Sequence, residues 1–429
     1  MDILEIIDKK REKKELSKAE IDFFVNNYTN GNLPDYQISS LLMAICLNGM
    51  NKKETFYLTD AMMHTGEILD FSKVKGIKID KHSTGGVSDT TTIVVAPVLA
   101  AGGFKLAKMS GGGLGYTGGT LDKYLAFNNF NPFLTFDKII ESINKIGLCL
   151  VGQTSEIAVA DKKIYALRDV TGTVESLPLI ASSIMSKKLA CNSDIIILDI
   201  KYGNGAFMKN KKDAVKLAKL MIDIAIKAGK KVAGIITDMN QPLGYTIGNL
   251  FEVQEAINIL EGKDNSSRLY KVCKEICIIA FKLGFSLSES QASNLFDDLI
   301  NTKRALNKLN EVLENQGGDL SLIHQKDKKP SKYIYATKNG YVSKIDTEYL
   351  GYFVKEIGGG KNKIDDKIDI NVGLKLKCEI NKKVDKGDVL CEVYFKEKPS
   401  TEQLRKLQNS FKITKFKGKR NKLIAKVVY

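Results

Sequence analysis

Residues 77–101 read IKIDKHSTGGVSDTTTIVVAPVLAA, and the order of patterns inside this stretch decides the fold class. Ile77-Lys78-Ile79 alternates like a strand, Gly85-Gly86 interrupts, and Thr91–Ala101 is apolar over the length of a short helix. Strand, glycine loop and helix in that order form half of a parallel βαβ unit. The segment between them carries Lys81, His82, Ser83, Ser88, Asp89, Thr90 and Thr92. Adjacent glycines let backbone N–H groups converge, a helix N-terminus adds partial positive charge, and Lys81 and Ser83 supply a cation and a hydroxyl. This composition suits an anion cradle, and the spacing alone suits a tight structural turn equally well. Within this segment the GxxxxGK[ST] and GxGxxG spacings are absent, so this first loop is neither a Walker A loop nor a dinucleotide fingerprint.

The pattern then repeats. Lys105–Met109 reads as a strand, a second loop packs six glycines into residues 111–119, and another strand follows at Leu148–Val151. So many glycines are entropically costly to order as a mere connection, and Lys108, Ser110 and Thr120 stand at the two ends of the loop. Two such loops at neighbouring strand ends predict one shared anion site at the carboxyl edge of a parallel sheet. Ile195–Asp199, a helix over Lys211–Lys227 and Val232–Thr237 continue the α/β pattern, and helices are predicted over Thr246–Leu260, Ser267–Leu283 and Leu287–Leu309.

Residues up to about Phe71 are amphipathic and helical, and Asp161–Ala190 returns to helical patterning without a strand. An inserted helical segment cannot bury its apolar face alone, so it is expected to pack on the N-terminal helices. The resulting organisation is a discontinuous N-terminal helical domain (1–70 and 160–192), a central α/β domain with a mainly parallel sheet (71–159 and 193–330), and a C-terminal mainly β, α+β domain (333–429). A polar linker is predicted near Gln316–Lys332, and Leu423–Val428 is assigned to the last domain. A cleft between the helical and α/β lobes is the expected ligand site.

Composition narrows the function. The 429 residues carry 65 Lys or Arg against 50 Asp or Glu, a net charge of +15. Much of the excess lies beyond Thr401, where Arg405, Lys406, Lys412, Lys415, Lys417, Lys419, Arg420, Lys422 and Lys426 face one acid, Glu402. A lysine-dominated surface of this kind reads as solvated, and no specific nucleic-acid partner is expected. No apolar run reaches the ~20 residues of a membrane-spanning helix, and no membrane association is expected. The seven cysteines are scattered without a Cys-x-x-Cys pair, which argues against disulfides and zinc, and Cys273 and Cys277 read as core. Met1–Glu20 lacks the character of a secretory signal, so a cytoplasmic location is expected.

A third constellation is Arg168, one of six arginines, with Ser183 and Lys187 four apart on one helix face. KHSTGGVSDTTT, AKMSGGGLGYTGGTLDK, YALRDVTGTVESLPLIASSIMSKKLA, IKYGNGAFMK and TDMNQPLGYTIGNLFEVQEAI together resemble, in order and spacing, the signature blocks of the thymidine and pyrimidine-nucleoside phosphorylases. The resemblance runs the length of the chain. It implies a pentosyltransferase that reversibly converts a pyrimidine nucleoside (uridine, deoxyuridine or thymidine) and inorganic phosphate into free base and pentose 1-phosphate. It further implies that phosphate is held by Lys81, Ser83, Lys108, Ser110 and Thr120 with Gly85 and Thr92 beside them. Arg168, Ser183 and Lys187 would read the pyrimidine, with His82 next to the base, and His82, Arg168 and Lys187 would be the catalytic group. No organic cofactor is implied. A monovalent cation such as K+ is implied near Ser88, Thr90, Leu243, Thr246 and Glu255, as are a homodimer joined through the helical domain and lobe closure before chemistry. Lys108, which is Met in thymidine-selective members, points to the broad-specificity type.

The chain departs from the family pattern at several positions. Gly112 replaces an Arg, Tyr116 a His and Ser88 a Gly, and the acid following Asp122-Lys123 is lost. Losing an Arg and an acid together implies a deleted ion pair and a looser phosphate loop. A catalytically impaired binding homologue and a thymidine-selective phosphorylase are therefore the competing readings. A phosphoribosyltransferase with Asp297-Asp298 as magnesium ligands ranks last.

Overall fold

A computed structural model describes residues 1–113, 115–154, 156–325, 329–361 and 366–429. Leu114 of the second glycine loop and residues 326–328 of the expected linker therefore lie outside the described residues.

The chain opens with four helices, α1 (Ile3–Arg11), α2 (Lys18–Thr29), α3 (Asp35–Asn48) and α4 (Lys52–Met63). Local chemistry sets their starts: Ser17 with Glu20 and Asn51 with Glu54 form reciprocal capping boxes on α2 and α4. Glu54 also takes the buried Lys10 ammonium at 2.7 Å and the Leu16 amide at 2.9 Å, so one carboxylate ties α1 to α4. The apolar faces close on the inserted helices Val159–Thr171 and Leu177–Ala190, whose Ala160, Ile164 and Leu179 join Phe24, Ile38 and Leu42 in one cluster. The helical bundle is thus discontinuous in sequence.

The central sheet is built from β1 (Ile79–Ser83), β2 (Leu106–Ser110), β3 (Leu148–Gly152), β4 (Ile195–Tyr202) and β5 (Lys231–Asp238). β1, β4 and β5 pair in parallel, as do β2 and β3, and a parallel bridge between Lys78 and Lys105 links the two groups. Every residue of β4 is buried, the pattern of a parallel strand covered on both faces. The helix Thr91–Ala101, buried over ten of its eleven residues, and the helix Arg268–Phe285, which carries the buried Cys273 and Cys277, cover one of these faces.

Several expectations are corrected. Lys81, His82 and Ser83 lie within β1 and not in the loop, because β1 stays in register with β4 as far as Ser83 opposite Asp199. The predicted helix Thr246–Leu260 is a short strand, Thr246–Ile247, followed by a helix over Asn249–Leu260. The one over Leu287–Leu309 is two helices, Glu289–Asn301 and Arg304–Asn315, broken where Lys303 adopts φ 58°. Gln316 is no linker residue. It is buried, and its amide accepts from the Leu150 N–H at 3.0 Å and donates to the Leu150 and Asn131 carbonyls at 2.8 and 2.9 Å, sealing the open edge of β3.

The described residues of the C-terminal part form two small antiparallel sheets, and the chain exchanges strands between lobes. Thr246–Ile247, from the α/β segment, pairs with Gly373–Leu376 in the C-terminal sheet. Ile424–Val428, expected in the C-terminal domain, instead adds antiparallel to β5 at the edge of the central sheet. No helix among the described residues is long and apolar enough to cross a membrane.

Gln316→Leu leaves the buried Leu150 N–H and C=O unpaired. Urea unfolding is expected to show a loss of about 3 kcal/mol, and an unchanged midpoint would contradict the edge-sealing role.

Candidate active site

The carboxyl ends of β1 and β2 open into a cleft of about 560 Å³, roofed by the helices Val159–Thr171 and Leu177–Ala190. It is lined by Lys81, His82, Ser83, Gly85, Thr92, Lys108, Ser110 and Thr120 on the sheet side and by Arg168, Ser183 and Lys187 on the helical side. All eleven residues singled out in the sequence for phosphate and pyrimidine therefore meet in one cavity.

The floor is electrostatically built. Lys81 is buried, donates to Thr91 Oγ1 at 2.5 Å and pairs with Asp199 at 3.2 Å. Asp199 also takes Lys201 at 2.8 Å, and Asp89 accepts from Ser83 at 2.5 Å and from Thr91 Oγ1 at 2.6 Å. Burial opposes ionisation of Asp89, but Lys201 and Lys81 outweigh it and hold the carboxyl below its ordinary range. Ser83 Oγ in turn accepts the Gly85 N–H at 3.1 Å, setting the first turn of the loop.

A second buried group lies alongside. Asp80 pairs with Lys188 at 2.7 Å and with Lys108 at 3.5 Å. Against the cost of burial, these two lysines bring its pKa down to about 2. Lys108 also donates to the Met109 carbonyl at 2.8 Å, and burial lowers its pKa to about 8, with Asp80 opposing the fall. Burial first, then Lys188 and Lys108, pushes His82 well below the ordinary histidine value. It is a neutral imidazole at pH 7, and its Nε2 has no hydrogen-bond partner among the described residues. Ser110 shares a 3.0 Å hydrogen bond with Tyr124.

On the roof, Arg168 is buried and its guanidinium donates to the Thr173, Val174 and Leu179 carbonyls at 3.1, 2.7 and 3.2 Å. Carbonyls fix its plane without neutralising it. Lys187 pairs with Asp161 and donates to Ser183 Oγ at 3.4 Å. Six cations (Lys81, Lys108, Arg168, Lys187, Lys188, Lys201) thus face five carboxylates (Asp80, Asp89, Asp161, Glu175, Asp199) in and beneath the cleft, leaving an excess of one positive charge.

Sequence reasoning missed Asp80, Asp89, Asp161, Lys188, Asp199 and Lys201. One signal was available: Asp199 and Lys201 interrupt an otherwise apolar strand, IIILDIKY, and a buried parallel strand tolerates charges only in pairs. Where the family's Arg and acid are lost, Asp122 Oδ2 accepts the Gly113 and Gly119 N–H groups at 2.6 and 3.0 Å and ties the second glycine loop across its neck. Ser88, where the family has Gly, keeps the left-handed φ of 63° and accepts the Gly244 N–H at 3.0 Å. Asp297 and Asp298 are bound to Lys274 and Arg304 on outer helices away from the cleft, which removes them as magnesium ligands.

Comparison with known proteins agrees with this geometry. Residues 4–66 and 75–316 match the helical bundle and a/b domains of the glycosyl transferase family, and residues 341–414 match the pyrimidine nucleoside phosphorylase C-terminal domain. A glycosyl transferase with a lysine-rich interlobe cleft is the class that fold and site define. The pyrimidine-nucleoside phosphorylase of Staphylococcus epidermidis is 45% identical over the whole of both chains. Those of Bacillus subtilis and Geobacillus stearothermophilus are each 44% identical over 96% of both chains. The chain belongs to the pyrimidine-nucleoside phosphorylase family. In fold alone it is also similar to the anthranilate phosphoribosyltransferase of Thermus thermophilus (TM-score 0.60, 15% identity, 73% of this chain and 99% of the other).

An anion beside Lys108 loses affinity as pH rises through about 8, where that ammonium deprotonates. Calorimetric phosphate binding is expected to weaken between pH 7 and 9.5 in the native protein, whereas Lys108→Met binds more weakly at pH 7 and lacks that step. An identical profile in the variant would contradict the assignment.

Proposed function

We propose that this chain catalyses reversible phosphorolysis of pyrimidine nucleosides, uridine and deoxyuridine as well as thymidine. The observation that carries the reading is the two-sided cleft: an anion-suited floor on the sheet (Lys81, Ser83, Lys108, Ser110, Thr120) opposite a donor-rich roof on the helices (Arg168, Ser183, Lys187).

The reaction breaks the bond between C1′ and the base nitrogen while a phosphate oxygen bonds C1′ from the other face. Positive charge grows on the sugar and negative charge on the departing pyrimidine. Arg168, its plane fixed by three carbonyls, and Lys187, steered by Asp161, stand ready to stabilise that charge at the base, and Ser183 adds a hydroxyl. Neutral His82, whose Nε2 has no partner among the described residues, offers that nitrogen to the base without adding a charge. Holding both reactants in one cavity makes the attack effectively unimolecular, and no covalent enzyme intermediate is required. Lys108 supports the broad-specificity reading over the thymidine-selective one.

The K+ region also fits a cation. Glu255 is buried, has no ion-pair partner among the described residues, and its pKa is raised by burial to about 7. Its carboxylate accepts from the Tyr245 and Thr246 amides and from Thr246 Oγ1 at 2.7, 3.0 and 2.6 Å. A Cβ on Gly244 would meet both Glu255 oxygens and Ser88 Oγ within 2.7 Å, so glycine keeps this nook open. Carbonyls of Ser88, Thr90, Leu243 and Thr246 would complete a shell around a monovalent cation, whose charge would stabilise the ionised carboxylate. Apolar Tyr36, Met43 and Leu47, exposed along α3, suit the homodimer contact.

Uridine with phosphate is expected to release uracil; no uracil or thymine from any pyrimidine nucleoside at micromolar enzyme would overturn the reading. Arg168→Ala is expected to lower kcat/KM by about 100-fold or more. Proton and cation compete for Glu255, so K+ is expected to raise Tm more at pH 8 than at pH 6, and Glu255→Gln to abolish the difference.

A further inference from the structure

Among the described residues no side chain of the C-terminal domain lines the cleft, yet both glycine loops reach into that domain's core. Val87, from the first loop, and Tyr116, from the second, belong to the same buried cluster as Leu350, Phe353, Leu374 and Val393. The Tyr116 ring lies 5.1 Å from Tyr352 of the helix Thr347–Val354 and 5.9 Å from Phe207, itself a cleft residue. Its hydroxyl accepts from Lys209 at 3.2 Å, and Lys209 pairs with Glu348 of the same helix at 2.8 Å. That ion pair is half exposed and contributes little, so the buried ring is the main contact. The helix is shaped to admit it: a Cβ on Gly351 would stand 2.5 Å from the Tyr116 carbonyl oxygen and 3.2 Å from its ring.

We infer that Tyr116 is a positioning residue that keys the second glycine loop into the core of the C-terminal domain, so that this domain, without touching the substrates, sets the affinity for phosphate. The inference rests on the phosphorolysis reading. Asp122 closes the neck of the loop, and Tyr116 fixes its far limb to a body outside the α/β lobe. Lys108, Ser110 and Thr120 flank that loop, whereas Arg168, Ser183 and Lys187 sit on separate helices. Displacing the ring therefore disturbs the phosphate side of the cleft and spares the pyrimidine side.

The test uses the full chain and two readouts, steady-state KM values for phosphate and uridine and calorimetric binding of inorganic phosphate without nucleoside. Tyr116→Ala is expected to raise the phosphate KM and Kd about tenfold or more while the uridine KM stays within twofold. Tyr116→Phe, which keeps the ring, restores phosphate binding to within about twofold of the native value. Gly351→Ala, made in the C-terminal helix, reproduces the Tyr116→Ala pattern, with Tm recorded for each variant to separate it from global loss of fold. Equal rises in both KM values, or an unchanged phosphate Kd in Tyr116→Ala, overturn the inference. Native protein that binds phosphate but releases no base refutes the phosphorolysis reading and leaves the Kd comparison in force; native protein that binds no phosphate overturns both.

Discussion

The structure turns on charge that cannot leave the interior. β1 and β4 pair in parallel with Lys81 opposite Ile197 and Ser83 opposite Asp199, which drives Lys81, Asp199 and Lys201 into a sheet covered on both faces. Ions in such a setting survive only when matched, and removing one partner of a buried pair costs about 3–5 kcal/mol. Asp199 between two lysines, with Asp89 at the following turn, satisfies that demand and at the same time holds Lys81 and Ser83 at the strand end where an anion would sit. The support of the fold and the floor of the cleft are the same set of atoms.

The Asp80 group extends this logic across the lobes. Asp80 sits on β1 and Lys108 on β2, whereas Lys188 comes from the helix Leu177–Ala190 in the helical bundle. One buried carboxylate therefore couples the two walls of the cleft at its base. Lys187, the next residue on that helix, turns to Asp161 and the open cavity. Adjacent lysines of one helix thus serve different ends, one pinning the lobes and the other facing the substrate space. Strand exchange does the same for the third domain: Thr246–Ile247 and Ile424–Val428 each complete a sheet belonging to the other body.

Much of this was legible in the chain. Glycine loops after strands marked the sheet edge, and the scarcity of arginine drew attention to Arg168. The helical insertion between two α/β stretches implied a split bundle, and the structure packs Ala160, Ile164 and Leu179 against the N-terminal helices. Less was legible where a signal depends on a partner distant in sequence. Gln316 sits in a polar stretch that reads as linker, and only the unpaired edge of β3 gives its amide a place. Leu423–Val428 alternates like any edge strand, and nothing in it says which sheet it joins. Asp80 and Asp161 were invisible because a carboxylate beside lysines reads as surface until burial is known.

The sequence by itself determined the family, the three-part order of domains and the eleven residues that meet in the cleft, because glycine spacing, helical periodicity and long motif blocks are local properties that survive without a structure. Only the tertiary structure decided which charges cancel and which remain. The His82 Nε2 that has no partner among the described residues, the lowered Lys108, the raised Glu255 and the keying of Tyr116 into another domain's core all arise from desolvation and from partners brought together by folding. Those are energies between residues far apart in the chain, and a linear pattern carries no distance between them.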